Sequence, residues 1–149
     1  MNLKNKSIMT TERLNLEKSV LQRYLPSNTY VFKDISTSSP YVLMAAKTNR
    51  GHVYTLRIDL DGFPTSLPHA FVTKMLKTKD GDEMDGASAS MHTLPSEHGY
   101  TRICHYGNES WGPNVSIYKV YIKCRLWLEM YELHLQTGKP MDYYLNHQS

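Results

Sequence analysis

The strongest constraint in the chain is one run, "VSIYKVYIKCRLWLEMYELHL" at 115–135. Ile117, Val120, Tyr121, Cys124, Leu128, Tyr131 and Leu135 recur at three- and four-residue spacing, which lines one side of an α-helix. "TGKP" at 137–140 closes the run, because Gly138 accepts a left-handed turn and Pro140 cannot continue a helix. A short terminal helix from 140 to 145 can follow. A long helix with one apolar side needs an apolar surface to lie on, and the rest of the chain has to supply it.

The preceding segments read as that surface. Residues 10–25, "TTERLNLEKSVLQRYL", predict a first helix, capped by Thr10 or Thr11, with Leu14, Leu21 and Leu25 near one face and Pro26 ending it. "TYVFKDI" at 29–35 is rich in β-branched and aromatic residues. "YVLMAAKT" at 41–48 begins as a continuous apolar run, as in a strand covered on both faces. "NRG" at 49–51 signals a hairpin, and 52–60 then alternate, with Tyr54, Leu56, Ile58 and Leu60 on one side. After Pro64 and Pro68, residues 70–76 predict a short fourth strand. Residues 77–99 are polar, contain Gly and Ser, and lack a pattern, so they read as a long surface loop. The order is helix, about four antiparallel strands, a long irregular segment, then the long helix. That is an α+β layout with helices packed on one sheet.

At 149 residues the chain fits a single domain. No apolar run approaches the ~20 residues that span a bilayer. The first residues, "MNLKNKSIMTTERL", carry charge without an apolar stretch behind it, which is not a secretory pattern. A cytoplasmic protein without a membrane partner is the expectation. A net charge of +3, spread without a basic run, gives a nucleic-acid partner little support.

Two cysteines in such a chain do not make a disulfide framework. Cys124 lies on the apolar side of the long helix, where a free cysteine acts as a small core residue. Cys104 sits in "YTRICHYGNESWGP" (100–113), after the long segment and before a glycine-containing turn, with Arg102 and His105 beside it. Loops on a rigid scaffold are where reactive groups concentrate, and a thiolate needs access and electropositive or hydrogen-bonding neighbours. On these residues alone, a nucleophile and a half-buried structural cysteine stand level. His92, His98, Cys104 and His105 are four possible zinc ligands, but their spacing matches no common finger. "DGDEMDG" lacks the glutamate that an EF-hand requires, and a solvated loop describes it better.

Three short motifs then occur in order: "FPTSLP" (63–68), "RIC" (102–104) and "WGP" (111–113). Together with the element order they resemble the ubiquitin-conjugating enzymes. That family has a proline step after the third strand, a His-Pro-Asn loop, an Ile-Cys active site, a Trp-x-Pro motif and a long helix. The resemblance covers about residues 8–145, with one residue fewer than usual between cysteine and tryptophan. The "TGKP" ending is similar to divergent bacterial members, several of which sit in anti-phage defence operons of the CBASS type. The fold implied is UBC-like: an N-terminal helix, a four-stranded antiparallel meander, a long active-site loop and a long C-terminal helix.

The activity implied is transfer of a ubiquitin-like protein, or of the C-terminus of a nucleotidyltransferase, through a thioester on Cys104 to a target lysine. The resemblance departs at the asparagine, for "LPS" stands in place of His-Pro-Asn and puts Ser96 eight residues before the cysteine. A serine hydroxyl still donates, from a shorter side chain, and His98 and His105 are alternative donors or bases. Trp111 and Pro113 are expected to pack beneath the active-site segment rather than to react. No Gly-rich nucleotide loop follows a strand, so a separate activating enzyme is implied, and no cofactor or metal is. The alternative is an inactive module of the same fold that binds a ubiquitin-like protein non-covalently.

Overall fold

The computed structural model describes residues 9–107 and 109–145. Helix α1 (Thr11–Tyr24) starts where Thr10 Oγ1 accepts from Arg13 N at 3.0 Å, and it ends before Pro26. A short 3₁₀ turn, Ser27–Thr29, leads into β1 (Tyr30–Lys33), β2 (Tyr41–Lys47) and β3 (Val53–Asp59). The β2–β3 turn has Gly51 at φ 89°, a conformation that glycine adopts without steric cost. Strands β4 (Ala70–Val72), β5 (Thr93–Glu97) and β6 (Tyr100–Ile103) complete one antiparallel sheet in the order β1-β2-β3-β4-β6-β5. Helices α2 (Ile117–Thr137) and α3 (Met141–Leu145) follow.

The protein is therefore α+β, with the long helix lying across the sheet. Val42, Met44 and Ala46 from β2, Leu56 and Ile58 from β3, and Ala70, Val72 and Ile103 are buried on the inner face. They form one core with Ile117, Val120, Cys124, Trp127 and Leu128 of α2. Polar tips fix the helix on the sheet: Tyr121 Oη donates to Ala45 O at 2.8 Å, and Tyr131 Oη to Lys77 O at 2.7 Å. Ser116 caps the start of α2, and Gly138, at φ 76°, ends it.

Three expectations are corrected. The sheet has six strands rather than four, because the segment read as a long loop contains β5 and the cysteine-bearing segment contains β6. "TLPSE" hides a strand behind Pro95, which an edge strand tolerates because its amide side need not join the ladder. The segment before it is anchored by Met84 and Met91, both nearly fully buried. The predicted fourth strand also stops at Val72 instead of residue 76. In β2 the second face is half-covered rather than sealed, since Tyr41, Leu43 and Ala45 keep partial exposure. Among the described residues, no helix is long and apolar enough to cross a membrane.

Helix α1 is amphipathic in an unexpected way, for besides Leu21 its fully buried residue is Glu17. The Glu17 carboxylate accepts from Arg13 Nε at 2.8 Å and from Ile117 N, the first amide of α2, at 2.8 Å. Arg13 in turn donates to Pro113 O and Val115 O, and its guanidinium lies over Phe63. One ion pair thus ties α1 to the "WGP" segment and to the start of α2.

Candidate functional site

Cys104 follows β6 directly, and the ladder toward β5 runs one step past the assigned strand. Its N–H donates to His92 O at 3.0 Å, continuing a β5–β6 register in which Thr93 opposes Ile103. On the other side the β4–β6 register ends with Ala70 opposite Ile103, and one further step of that register sets His69 opposite Cys104. The Cys104 N–H is turned toward His92, and His69 O accepts from Asp59 N at 2.9 Å. Neither backbone is directed at the other, so on that extended register His69 and Cys104 take the non-hydrogen-bonded position. In such pairs the Cα atoms approach to about 4.5 Å and the side chains come closest.

Alternation sets the face. Ala70, Val72, Thr101 and Ile103 are buried toward α2, so His69, Phe71, Arg102 and Cys104 belong to the outer face. Phe71 is nevertheless fully buried. The tip of the β5–β6 hairpin folds over it, with the rings of His69, His98 and Tyr100 at 6.4, 5.3 and 6.5 Å from its centre. His98 at φ 59° and Gly99 at φ 75° make that turn. Glu97 Oε2 lies 2.9 Å from His69 Nδ1 and accepts from Arg102 Nη1 at 3.4 Å. A carboxylate therefore holds the imidazole that neighbours the cysteine. Cys104 itself is a free, partly exposed thiol, whereas Cys124 is fully buried and burial pushes its thiol up to about 12.

The other expected site residues are placed as follows. His98 Nε2 lies 3.3 Å from Asp59 Oδ2, above the outer face. Ser96 is on β5, where its N–H donates to Asp85 O, and the register opposes Cys104 with His92 rather than with Ser96. His105 is turned inward: its Nε2–H donates to Pro68 O at 2.8 Å, and its Nδ1 is buried without a partner. Burial lowers His105 from its ordinary 6.5 to about 4, helped by the positive charge of Arg102 nearby and opposed by the Pro68 carbonyl. It is neutral at pH 7. His69 is the residue the sequence reading passed over. The alternation of "HAFV" against "YTRIC", with Ala70 and Val72 inward, was the signal that pairs it with Cys104.

Trp111 packs as expected beneath this segment. Its ring lies 6.1 Å from Phe63 and 5.9 Å from Tyr106, and Nε1 donates to Pro64 O at 3.0 Å. The "WGP" and "FPTSLP" segments therefore meet. Pro113 is exposed and contributes only its carbonyl, to Arg13.

The three histidines grouped with Cys104 face different partners, with His92 Nε2 2.9 Å from Asp142 Oδ1. Asp59, Glu97 and His98 do converge, each offering one ligand atom within 4.8 Å of the others. Both carboxylates already face guanidinium groups, since Arg57 Nε donates to Asp59 Oδ1 at 2.8 Å and Arg102 to Glu97. Those two cations would repel a metal ion, so the cluster reads as an ion-pair network.

The His105 environment has a consequence for stability. The unfolded chain takes up a proton near pH 6.5 and the folded chain only near 4, so acidification between these values favours unfolding. The stability present above pH 6.5 is expected to fall by up to about 3 kcal/mol by pH 4 from this group. Urea midpoints at pH 7, 5.5 and 4.5 measure it. His105→Phe, which keeps the ring against Tyr106, is expected to flatten the slope, and an unchanged slope would assign it to other groups.

No family model matches the chain, and neither does any curated protein or solved structure.

Proposed function

We propose that this protein is a ubiquitin-conjugating-type acyl carrier of UBC-like fold. It holds a ubiquitin-like protein, or the C-terminus of a nucleotidyltransferase, as a thioester on Cys104 and passes it to a target lysine. The observation that carries the reading is the setting of Cys104, a partly exposed free thiol one register step past the Ala70–Ile103 pair, the step that sets His69 with its Glu97 partner opposite it. The order of helix, sheet, cysteine and long helix supports it as well.

A separate activating enzyme delivers the acyl group as its own thioester. Cys104 thiolate attacks that carbonyl, and the donor's thiolate leaves. The amine of a lysine then attacks the Cys104 thioester, the C–S bond breaks, and an isopeptide bond forms. One difficult acyl transfer becomes two easier ones. The lysine must lose a proton, and the His69 imidazole can take it, the Glu97 carboxylate 2.9 Å from its Nδ1 stabilising the imidazolium. His105, neutral and bonded to Pro68, supports the segment after the cysteine and takes no proton near pH 7. The protein's place in a bacterial defence operon is part of the proposal, and gene neighbours encoding an activating enzyme, a peptidase and the carried protein are its expected context.

The second reading is an inactive module that binds a ubiquitin-like protein without a covalent bond. The position of Ser96 favours it, because the residue standing for the family's asparagine does not oppose Cys104. Intact mass after incubation with an activated candidate partner separates the two. A partner-sized adduct that added thiol removes is expected. Binding without an adduct, across several candidates, would transfer the assignment to the module.

A further inference from the structure

Helix α2 carries a second apolar row besides the one that lies on the sheet. Tyr118, Ile122 and Leu126 follow one another at four-residue steps, on the side turned away from Cys124 and Leu128. Ile122 is 41% exposed and Leu126 37%. Tyr118 is half-buried, and the exposed Tyr24 of α1 stacks on it with ring centres 4.7 Å apart. The two helices thus present one apolar strip to solvent, away from the sheet. A helix resting on a single sheet needs one apolar side, so a second row in water marks a contact surface.

The free charges beside the strip are of one sign. By helical period Arg125 borders the row on one side, and Lys119 and Lys123 border it on the other. Arg125 Nη2 donates to Lys47 O at 2.9 Å, and Lys123 Nζ lies 4.9 Å from the Tyr106 ring centre. At the Tyr24 end, the Arg23 guanidinium lies 5.8 Å from that ring's centre. These partners are neutral. No carboxylate among the described residues forms an ion pair with Arg23, Lys119, Lys123 or Arg125. Of the two acids in α2, Glu132 is buried against Tyr54, and Glu129 Oε2 accepts from Asn49 N at 2.8 Å.

Charge and depth restrict what covers the strip. A second copy would set cations against cations along the row, and such like-charge contacts oppose association. A bilayer surface takes up the apolar side of a helix to a depth of about 5–10 Å. Ile122 and Leu126 are more than half covered by their own neighbours, which leaves them too shallow for that. An acidic amphipathic helix meets both conditions, since its apolar row fits the strip and its carboxylates reach the cations on either side. We propose that the α1–α2 face docks such a helix from a partner protein, one whose apolar row is flanked by glutamate or aspartate. This docking is independent of the acyl-transfer reading.

Titration of the isotope-labelled full chain with three synthetic helical peptides tests it. The first has a leucine row flanked by glutamates, the second alanines in place of the leucines, and the third lysines in place of the glutamates. The first is expected to shift the amide resonances of Tyr24 and of 118–126, and to bind at least about tenfold more tightly than either of the others. Ile122→Glu and Leu126→Glu, both on the exposed side of α2, are expected to weaken that binding by a similar factor while leaving the rest of the spectrum intact. Absence of shifts there with the first peptide at millimolar concentration would overturn the proposal, and so would equal binding of all three. Two further results would also overturn it. Protection of the same residues by phosphatidylserine vesicles, without a response to the peptide, would give the face to a membrane. Self-association that Ile122→Glu abolishes would give it to a second copy.

Discussion

Replacing Glu17 by alanine is expected to destabilise the protein by about 3–5 kcal/mol, the range for removing one partner of a buried ion pair. The side chain is 2% exposed and the Arg13 partner 17%, so solvent does little to screen either charge. The loss has three parts. Arg13 keeps its charge in a part-buried position over Phe63 without a counter-ion. The Ile117 amide, first in α2, loses its acceptor. A negative charge also disappears from the positive end of the long helix dipole. Because Arg13 also holds Pro113 O and Val115 O, the damage reaches the segment that connects Trp111 to α2. Urea unfolding at pH 7 measures the effect. Glu17→Gln, which keeps an acceptor but no charge, is expected to fall between wild type and Glu17→Ala. A loss below about 1 kcal/mol for Glu17→Ala would mean that water or another side chain replaces the carboxylate.

Cys104→Ala is expected to abolish thioester adduct and transfer completely, while Cys124→Ala keeps both. The contrast rests on burial and surroundings rather than on the residue type. Cys124 is fully buried with its thiol pushed up to about 12, so it stays protonated and out of reach of a protein-sized acyl donor. Its truncation leaves a small cavity between helix and sheet and costs about 1–2 kcal/mol of stability without touching the chemistry. Cys104 is partly exposed at the end of β6, so its truncation costs little stability and removes the nucleophile. Adduct yield by intact mass and stability by urea unfolding, read on both variants, check the pair of statements. Equal loss of adduct in both would remove Cys104 from its proposed role. His69→Gln separates the steps further. Adduct formation is expected to persist, while transfer to lysine slows by about 10²–10⁴ if His69 is the base.

The elements with strong local patterns were legible in the chain. The α2 stripe, the caps at Thr10 and Gly138, the "NRG" hairpin and the inward row Tyr54, Leu56, Ile58 and Leu60 follow from side-chain period and backbone chemistry within a few residues. Their burial follows too, because an apolar side repeated at the period of its own element has only one way to leave water. Leu135 marks the limit of such reading, since it continues the stripe in sequence yet remains 36% exposed past the edge of the sheet.

What depends on pairing was not legible. Strand β5 has Pro95, Ser96 and Glu97 in place of an apolar pattern, and it is a strand because β6 offers it a ladder. Glu17 reads as the solvated side of a helix until α2 brings an unpaired amide to it. The Cys104 neighbourhood is the sharpest case, for chain proximity pointed to His98 and His105, while the sheet turns those toward Asp59 and Pro68 and brings His69 alongside. Local periodicity decides which face a side chain occupies, since it depends only on the residues next to it. Which charged groups meet on that face depends on strand order and register, and those are set by the whole core at once.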